Sequence, residues 1–172
     1  MAGEIHFPAN FDLNKKYAGV VVSHLGNGVK EQVAGLYAQK LAKNGFIGFA
    51  FDASYQGESE GLSRYLYDAF NRVEDIRCAI DYLVTLPYID ENRIGAMGIC
   101  AGAGYAINAT RTEYRIQTVA GVSTWDVGDS QRNGFARKST DEQKRLLLRD
   151  VASQRTREAR GEEPLLIGYV PN

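Results

Sequence analysis

The sequence predicts an α/β domain built on a mostly parallel sheet with helices on both faces, and three observations carry that prediction. Short, continuous apolar runs rich in β-branched and aromatic residues recur through the first two thirds of the chain, as buried parallel strands require. Between them, apolar residues return at helical spacing. The two patterns alternate, which calls for crossover connections and a sheet covered by helices.

Taken in order, "GEIHFP" near the start reads as an additional edge strand, and "YAGVVVSH", Tyr17 to His24, as the first buried strand, closed by the loop "LGNG". From Lys30 to Asn44, Val33, Leu36, Tyr37 and Leu41 keep helical spacing, and Asn44-Gly45 supplies a stop. "FIGFAFD", Phe46 to Asp52, is a second buried strand, followed by the polar loop "ASYQGESEGLSR". Val73, Ile76, Ile80, Leu83 and Val84 mark a second amphipathic helix, which Pro87 closes. "RIGAMGI" is the third strand of this series, a helix opens at Ala101, and "IQTVAGVS", Ile116 to Ser123, is a further strand.

Beyond Trp125 the buried strands give way to a charged helix, roughly Asp141 to Arg160, with Ser139 and Glu142 placed as a capping box. Its arginines alternate with acids, so a solvated helical face accounts for them better than an anion site. The domain division expected is therefore a core over 1–124 and a helical lid or appendage over 125–172.

The chain has 172 residues, 20 basic against 21 acidic and a formal charge of −1, which excludes a general electrostatic attraction to nucleic acid or anionic lipid. It contains no apolar run long enough to span a membrane and no secretory leader pattern. With two cysteines, Cys78 and Cys100, a reducing cytoplasm is the expected compartment and a disulfide is not expected. Cys78 falls off the apolar stripe of its helix, so no role beyond packing is expected of it.

Cys100 is different, because it stands in Gly98-Ile99-Cys100-Ala101-Gly102 at the point where a strand turns into a helix. A nucleophile in so tight a turn needs small residues two positions to either side. The geometry would aim the thiol into the crevice at the strand ends, where the N-terminus of the following helix favours a thiolate and Ala101 offers its amide to a developing oxyanion. A buried structural cysteine at a glycine-rich strand end is the better explanation of an isolated motif of this kind.

Three further stretches in order change that balance: "VVVSHLGNGVKEQ", "FAFDASYQGESEG" and "RVEDIRCAIDYLVTLPYIDENRIGAMGICAGAGY". With the elbow, they make the chain from about Tyr17 to Ser123 resemble the α/β-hydrolase superfamily, in its dienelactone-hydrolase-like branch with cysteine at the elbow. The resemblance implies Cys100 as nucleophile, Ala101 as first oxyanion donor, and Leu25, or less favourably Gly26, as second. It implies that Asp52, Gly57 and Ser59 shape the neighbouring loop, where turn formation and capping are sufficient reasons for them. It further implies acyl transfer from a small-molecule ester, lactone or thioester, without metal or organic cofactor.

The same resemblance exposes a gap, since the superfamily places an acid and then a histidine after the nucleophile, whereas His6 and His24 both precede Cys100. The residues after the strand ending near Ser123 offer only Asp126 and Asp129 as weak candidates for the acid. Three readings follow. The chain is part of a longer hydrolase and incomplete by itself; or it is a non-catalytic α/β binding or assembly module that keeps the elbow; or His24, at the exit of the neighbouring strand, acts as a local base, although a loop histidine shaping the oxyanion turn is the simpler account of it. A sheet lacking its last strands would expose an edge, from which homo-oligomers are expected.

Overall fold

The computed structural model describes residues 1–169 and divides the chain into two units, Met1–Trp125 and Asp126–Asn172. The first unit holds a five-stranded sheet, β1 (Gly3–His6), β2 (Tyr17–Ser23), β3 (Ile47–Phe51), β4 (Ile89–Ile99) and β5 (Ile116–Val122), in the order β1-β3-β2-β4-β5. β1 runs antiparallel to β3 on one edge, and the other four strands are parallel. Three helices complete the unit: α1 (Gly35–Lys43), α2 (Ala69–Val84) and α3 (Ala101–Ala109).

β2 and β3 are short and β-branched or aromatic, and Val21, Val22, Ile47, Ala50 and Phe51 are almost fully buried, as expected of central parallel strands. Successive residues of β2 serve opposite faces. Val20 and Val22 pack with Ala34 and Ala38 of the α1 side, whereas the space above Gly19 is filled by Leu83 of α2 and by Ile89 and Ile94. α2 begins where Asp68 accepts hydrogen bonds from the Phe70 and Asn71 amides (2.8 and 3.0 Å), and it buries Ile76, Ala79, Ile80 and Leu83.

The helix expected from Lys30 has a different form. Lys30–Ala34 is a π-helical turn, and regular α-helix starts only at Gly35. Its buried residues are Lys30, Ala34, Gly35, Ala38 and Ala42, with Val33, Tyr37 and Leu41 half-covered at the flanks, while Leu36 is 49% exposed. The reason is proximity: a side chain on Gly48 of β3 would run into the backbone of Ala38. Two backbones this close leave room only for alanine and glycine at their contact, so the larger apolar residues are displaced sideways.

The second unit contains α4 (Val127–Asn133), a 3₁₀ turn at Phe135–Arg137, and α5 (Asp141–Ala159). α5 is the charged helix, but its capping box is Thr140 with Gln143, one residue later than the pair Ser139 and Glu142 expected from sequence. The Thr140 hydroxyl accepts from the Gln143 amide (3.2 Å), and the Gln143 side chain accepts from the Thr140 amide (2.8 Å). Glutamine serves here as well as glutamate would, and Asp141 and Glu142 then occupy the first turn, where negative charge is favoured.

Because β2, β3, β4 and β5 are parallel, their carboxyl ends meet along one edge of the sheet, and each leads into a loop there.

Candidate active site

Cys100 stands between the end of β4 and the first turn of α3, half-buried, with φ +55° and ψ −118°. A positive φ is costly for a residue with a side chain, and it persists where surrounding contacts enforce it. Here β5 and its exit do so. The Cys100 amide donates to the Val122 carbonyl (2.9 Å), and the Cys100 carbonyl accepts from the Trp125 and Ala103 amides (both 3.1 Å).

The small residues around Cys100 are explained by the same geometry. A β-carbon on Gly98 would collide with the Gly102 carbonyl and the Ala103 backbone, and one on Gly102 with the carbonyl oxygens of Ser23 and His24. A β-carbon on Gly104 would lie 2.8 Å from the Trp125 carbonyl oxygen. The first turn of α3 is therefore pressed between the exits of β2 and β5. Gly102 brings the turn after Cys100 onto the peptide that joins His24 to Leu25.

That peptide opens the loop after β2, a tight turn in which the Gly28 amide donates to the Leu25 carbonyl (3.1 Å) and Asn27 takes a φ of +53°. Gly26 is buried and Leu25 half-buried. Among the described residues, neither the Leu25 nor the Ala101 amide donates to another protein group, so both N–H groups are available at this edge.

His24 is completely buried, and both of its ring nitrogens are engaged. Nδ1 lies 2.6 Å from the Leu25 carbonyl oxygen, which places the proton there, and Nε2 then accepts from the Ala53 amide at 3.1 Å. Burial, followed by the Arg72 guanidinium beside it, pushes the imidazole pKa down to about 4. The ring is a neutral strut between the loops after β2 and β3. His6, on β1, pairs in register with Gly48 at the start of β3, the end of the sheet away from Cys100.

The loop after β3 is organised by Asp52. Its carboxylate accepts from the amides of Lys30 (2.7 Å) and Glu58 (2.9 Å) and from the Lys30 ammonium (3.1 Å). Burial alone would raise the Asp52 pKa, but these donors outweigh it and hold the carboxyl below its usual range. Gly57 (φ +49°) has no room for a side chain against that carboxylate, and the Ser59 hydroxyl donates to the Asp52 carbonyl (2.6 Å). Glu31, Asp52 and Glu58 converge closely enough to suggest a cation site, yet the nearly buried Lys30 ammonium already sits among them, 2.5 Å from Glu31 and 2.6 Å from Glu58. Its own positive charge fills the position a metal ion would take.

Asp126 and Asp129 lie in the second unit, where Asp126 caps α4 through the Asp129 amide (2.8 Å) and Asp129 pairs with Arg137 (2.9 Å). Cys78 is exposed on α2.

Arg72 and Lys30 escaped the sequence reading. Arg72 is 3% exposed on α2, and it occupies the buried stripe with Ile76, four residues on, and Ala79. A charged residue on an apolar stripe was the available signal. Lys30 gave none, because its burial follows from the π-helical turn.

The model of the dienelactone hydrolase family matches residues 6–125, which spans strands β2 to β5, the elbow and both loops described above. The chain belongs to the dienelactone hydrolase family. It is 53% identical over 135 residues to the uncharacterised protein YcjY of Escherichia coli K12, covering 78% of this chain and 44% of that one. The crystal structure of the hypothetical protein PA2218 from Pseudomonas aeruginosa superposes with a TM-score of 0.90 at 31% identity, over 98% of this chain and 55% of its own. The α/β hydrolase GrgF from Penicillium shares the fold at TM-score 0.80 and 18% identity, over 99% of this chain and 58% of its own. The chain thus has an α/β-hydrolase core and spans about half the length of these relatives. Among its described residues no helix is long and apolar enough to cross a membrane.

Proposed function

We propose that Cys100 is the nucleophile of a hydrolase acting on a small carboxylic ester, lactone or thioester. The observation that carries this reading is the strained backbone of Cys100 at a strand-to-helix elbow, with the uncommitted amides of Ala101 and Leu25 at the same edge of the sheet. Nothing in the packing of a merely structural cysteine calls for a positive φ held by three backbone hydrogen bonds.

In the first half-reaction the Cys100 thiolate adds to the substrate carbonyl, forming the C–S bond while the carbonyl π electrons move to oxygen. The Ala101 and Leu25 amides, with Gly26 as the substitute for the second, stabilise that oxyanion, and the N-terminus of α3 favours negative charge there. Collapse expels the alkoxide or thiolate and leaves Cys100 acylated. Water then attacks the acyl-thioester, the carboxylic acid departs and the thiol is regenerated.

The second half-reaction needs a base to activate water, and neither histidine of this chain is suited to it. His24 already uses both ring nitrogens and is buried, and His6 lies toward the other end of the strands. The 172-residue chain is therefore expected to be acylated without rapid turnover. No metal or organic cofactor enters either half-reaction.

The test is hydrolysis of p-nitrophenyl acetate by this chain and by Cys100→Ala. A burst of nitrophenolate approaching one equivalent, absent from the variant, is the expected result; equal release by both proteins would defeat the assignment of Cys100.

A second reading, a non-catalytic assembly module that keeps the elbow, draws on one observation. β5 forms the edge of the sheet, and Gln117 through Gly121 are exposed along it. Such an edge invites pairing with a second copy. Light scattering that found dimers in a protein lacking any burst would favour this reading.

A further inference from the structure

Arg72 is a buried cation in contact with His24 at the turn after β2. Its Nη2 donates to the His24 carbonyl at 2.9 Å, and its Nη1 lies 3.1 Å from His24 Nε2, the nitrogen that the Ala53 amide also faces. The rings of Tyr67 and Tyr105 lie 5.8 and 5.6 Å from the guanidinium carbon, within the range at which aromatic faces stabilise a cation. With five donors in a rigid plane, arginine can grip a carbonyl and an imidazole together, which a lysine cannot reproduce.

The carbonyl of His24 and the amide of Leu25 belong to one peptide unit. That unit is planar and trans, so fixing the direction of C=O fixes N–H in the opposite direction. A charged donor on the carbonyl oxygen also draws electron density along the unit and makes its N–H a stronger donor. Three contacts hold the unit and leave its N–H uncommitted. Arg72 takes its oxygen, the His24 ring bonds to the next carbonyl, that of Leu25, and Gly102 of the elbow packs against its oxygen.

We propose that Arg72 is a positioning residue for acyl transfer: through the His24 carbonyl it orients and polarises the Leu25 N–H as an oxyanion donor. This rests on the reading of Cys100 as an acyl-accepting nucleophile and names a residue that reading does not require. In this role Arg72 acts through the His24 peptide, and α2, remote in sequence from the β2 exit and the elbow, helps to position the site.

Two reactions of the same thiol separate positioning from general damage. Acylation by p-nitrophenyl acetate builds an oxyanion: the C–S bond forms, the C–O bond to the phenol breaks, and nitrophenolate leaves. Alkylation by iodoacetamide displaces iodide from carbon and builds none. Both depend equally on the exposure and ionisation of Cys100, so the ratio of their rate constants reports on the oxyanion donors alone.

The experiment measures this ratio for the 172-residue chain, Arg72→Met and Arg72→Lys, each carrying Cys78→Ser because Cys78 is exposed and would also react, with far-UV circular dichroism on each. The expected result is a ratio lowered roughly 10- to 100-fold in Arg72→Met, less than complete loss of a donor because Ala101 remains, with alkylation nearly unchanged. Arg72→Lys, which can supply one donor to the His24 carbonyl, is expected to lie between. An unchanged ratio in a folded Arg72→Met, or parallel losses in both reactions, would overturn the role. If Arg72→Met does not fold, Arg72→Lys decides: a ratio below that of the parent chain sustains the proposal and an equal ratio overturns it. Failure of the parent chain to be acylated while Cys100 is still alkylated would instead overturn the acyl-transfer reading, and the role of Arg72 with it.

Discussion

The carbonyl oxygen of His24 occupies the space that a β-carbon on Gly102 would need, so the first turn of α3 rests directly on the exit of β2. The second glycine of the elbow therefore does more than ease a tight turn. It sets the separation between the nucleophile and the loop that carries Leu25.

Gly102→Ala is accordingly expected to force α3 and the β2 exit apart. The cost in stability is about 1–3 kcal/mol, as for other overpacked sites, and acylation of Cys100 should slow as well. Urea unfolding and the ester burst measured on the same preparation check this. A variant that lost stability yet kept the parent burst rate would show that the spacing is a matter of packing alone.

The strain at Cys100 makes the opposite prediction. At φ +55° and ψ −118° the backbone lies in a region open to glycine and unfavourable for other residues. Cys100→Gly is expected to raise the unfolding free energy by about 1 kcal/mol, the lost side-chain contacts offsetting part of the relief of strain. It should also abolish the burst. Equal or lower stability would mean that the elbow carries no strain worth relieving.

The sheet and the elbow were legible in the sequence because their determinants are local. Val20 to Val22, Ile47 to Phe51 and the Gly98-Cys100-Gly102 spacing each declare themselves within a few residues. What could not be read were relations between segments. Arg72 acquires its meaning from His24, 48 residues away, and Lys30 from Asp52 and Glu58 across a loop. Helix periodicity identified Leu36 as a core residue, since it cannot register how close the β3 backbone lies.

That closeness can be tested. Ala38 is fully buried against Gly48, whereas Leu36 is half-exposed. Leu36→Ala is expected to change stability by no more than about 0.5 kcal/mol, as surface substitutions do. Ala38→Leu should cost about 1–3 kcal/mol or prevent folding, because nothing at that contact can give way except the helix itself. Thermal melts of the two variants decide the matter, and the reverse ranking would restore the simpler amphipathic view of α1.

Protonation of His24 gives the last prediction. Its pKa falls from the ordinary 6.5 to about 4 in the folded chain, through burial first and then the Arg72 charge. Between these values the unfolded chain binds a proton that the folded chain refuses, so folding stability must rise with pH across the window. Above 6.5 the contribution is complete. As pH falls toward 4 the loss accumulates to about 3 kcal/mol, and below 4 this group adds nothing more. Asp52 acts lower on the scale: its depressed carboxyl stabilises the fold above the usual carboxylate range, and that contribution is lost as pH falls through its folded value. Urea unfolding at intervals from pH 7.5 to 4.5 should therefore show a plateau down to about 6.5 and a decline below it. In His24→Asn, which keeps a polar side chain but cannot titrate, the decline over the same range should be much shallower. Parallel profiles for the two proteins would place the acid sensitivity elsewhere and would show that the imidazole can be charged without disturbing the turn it supports.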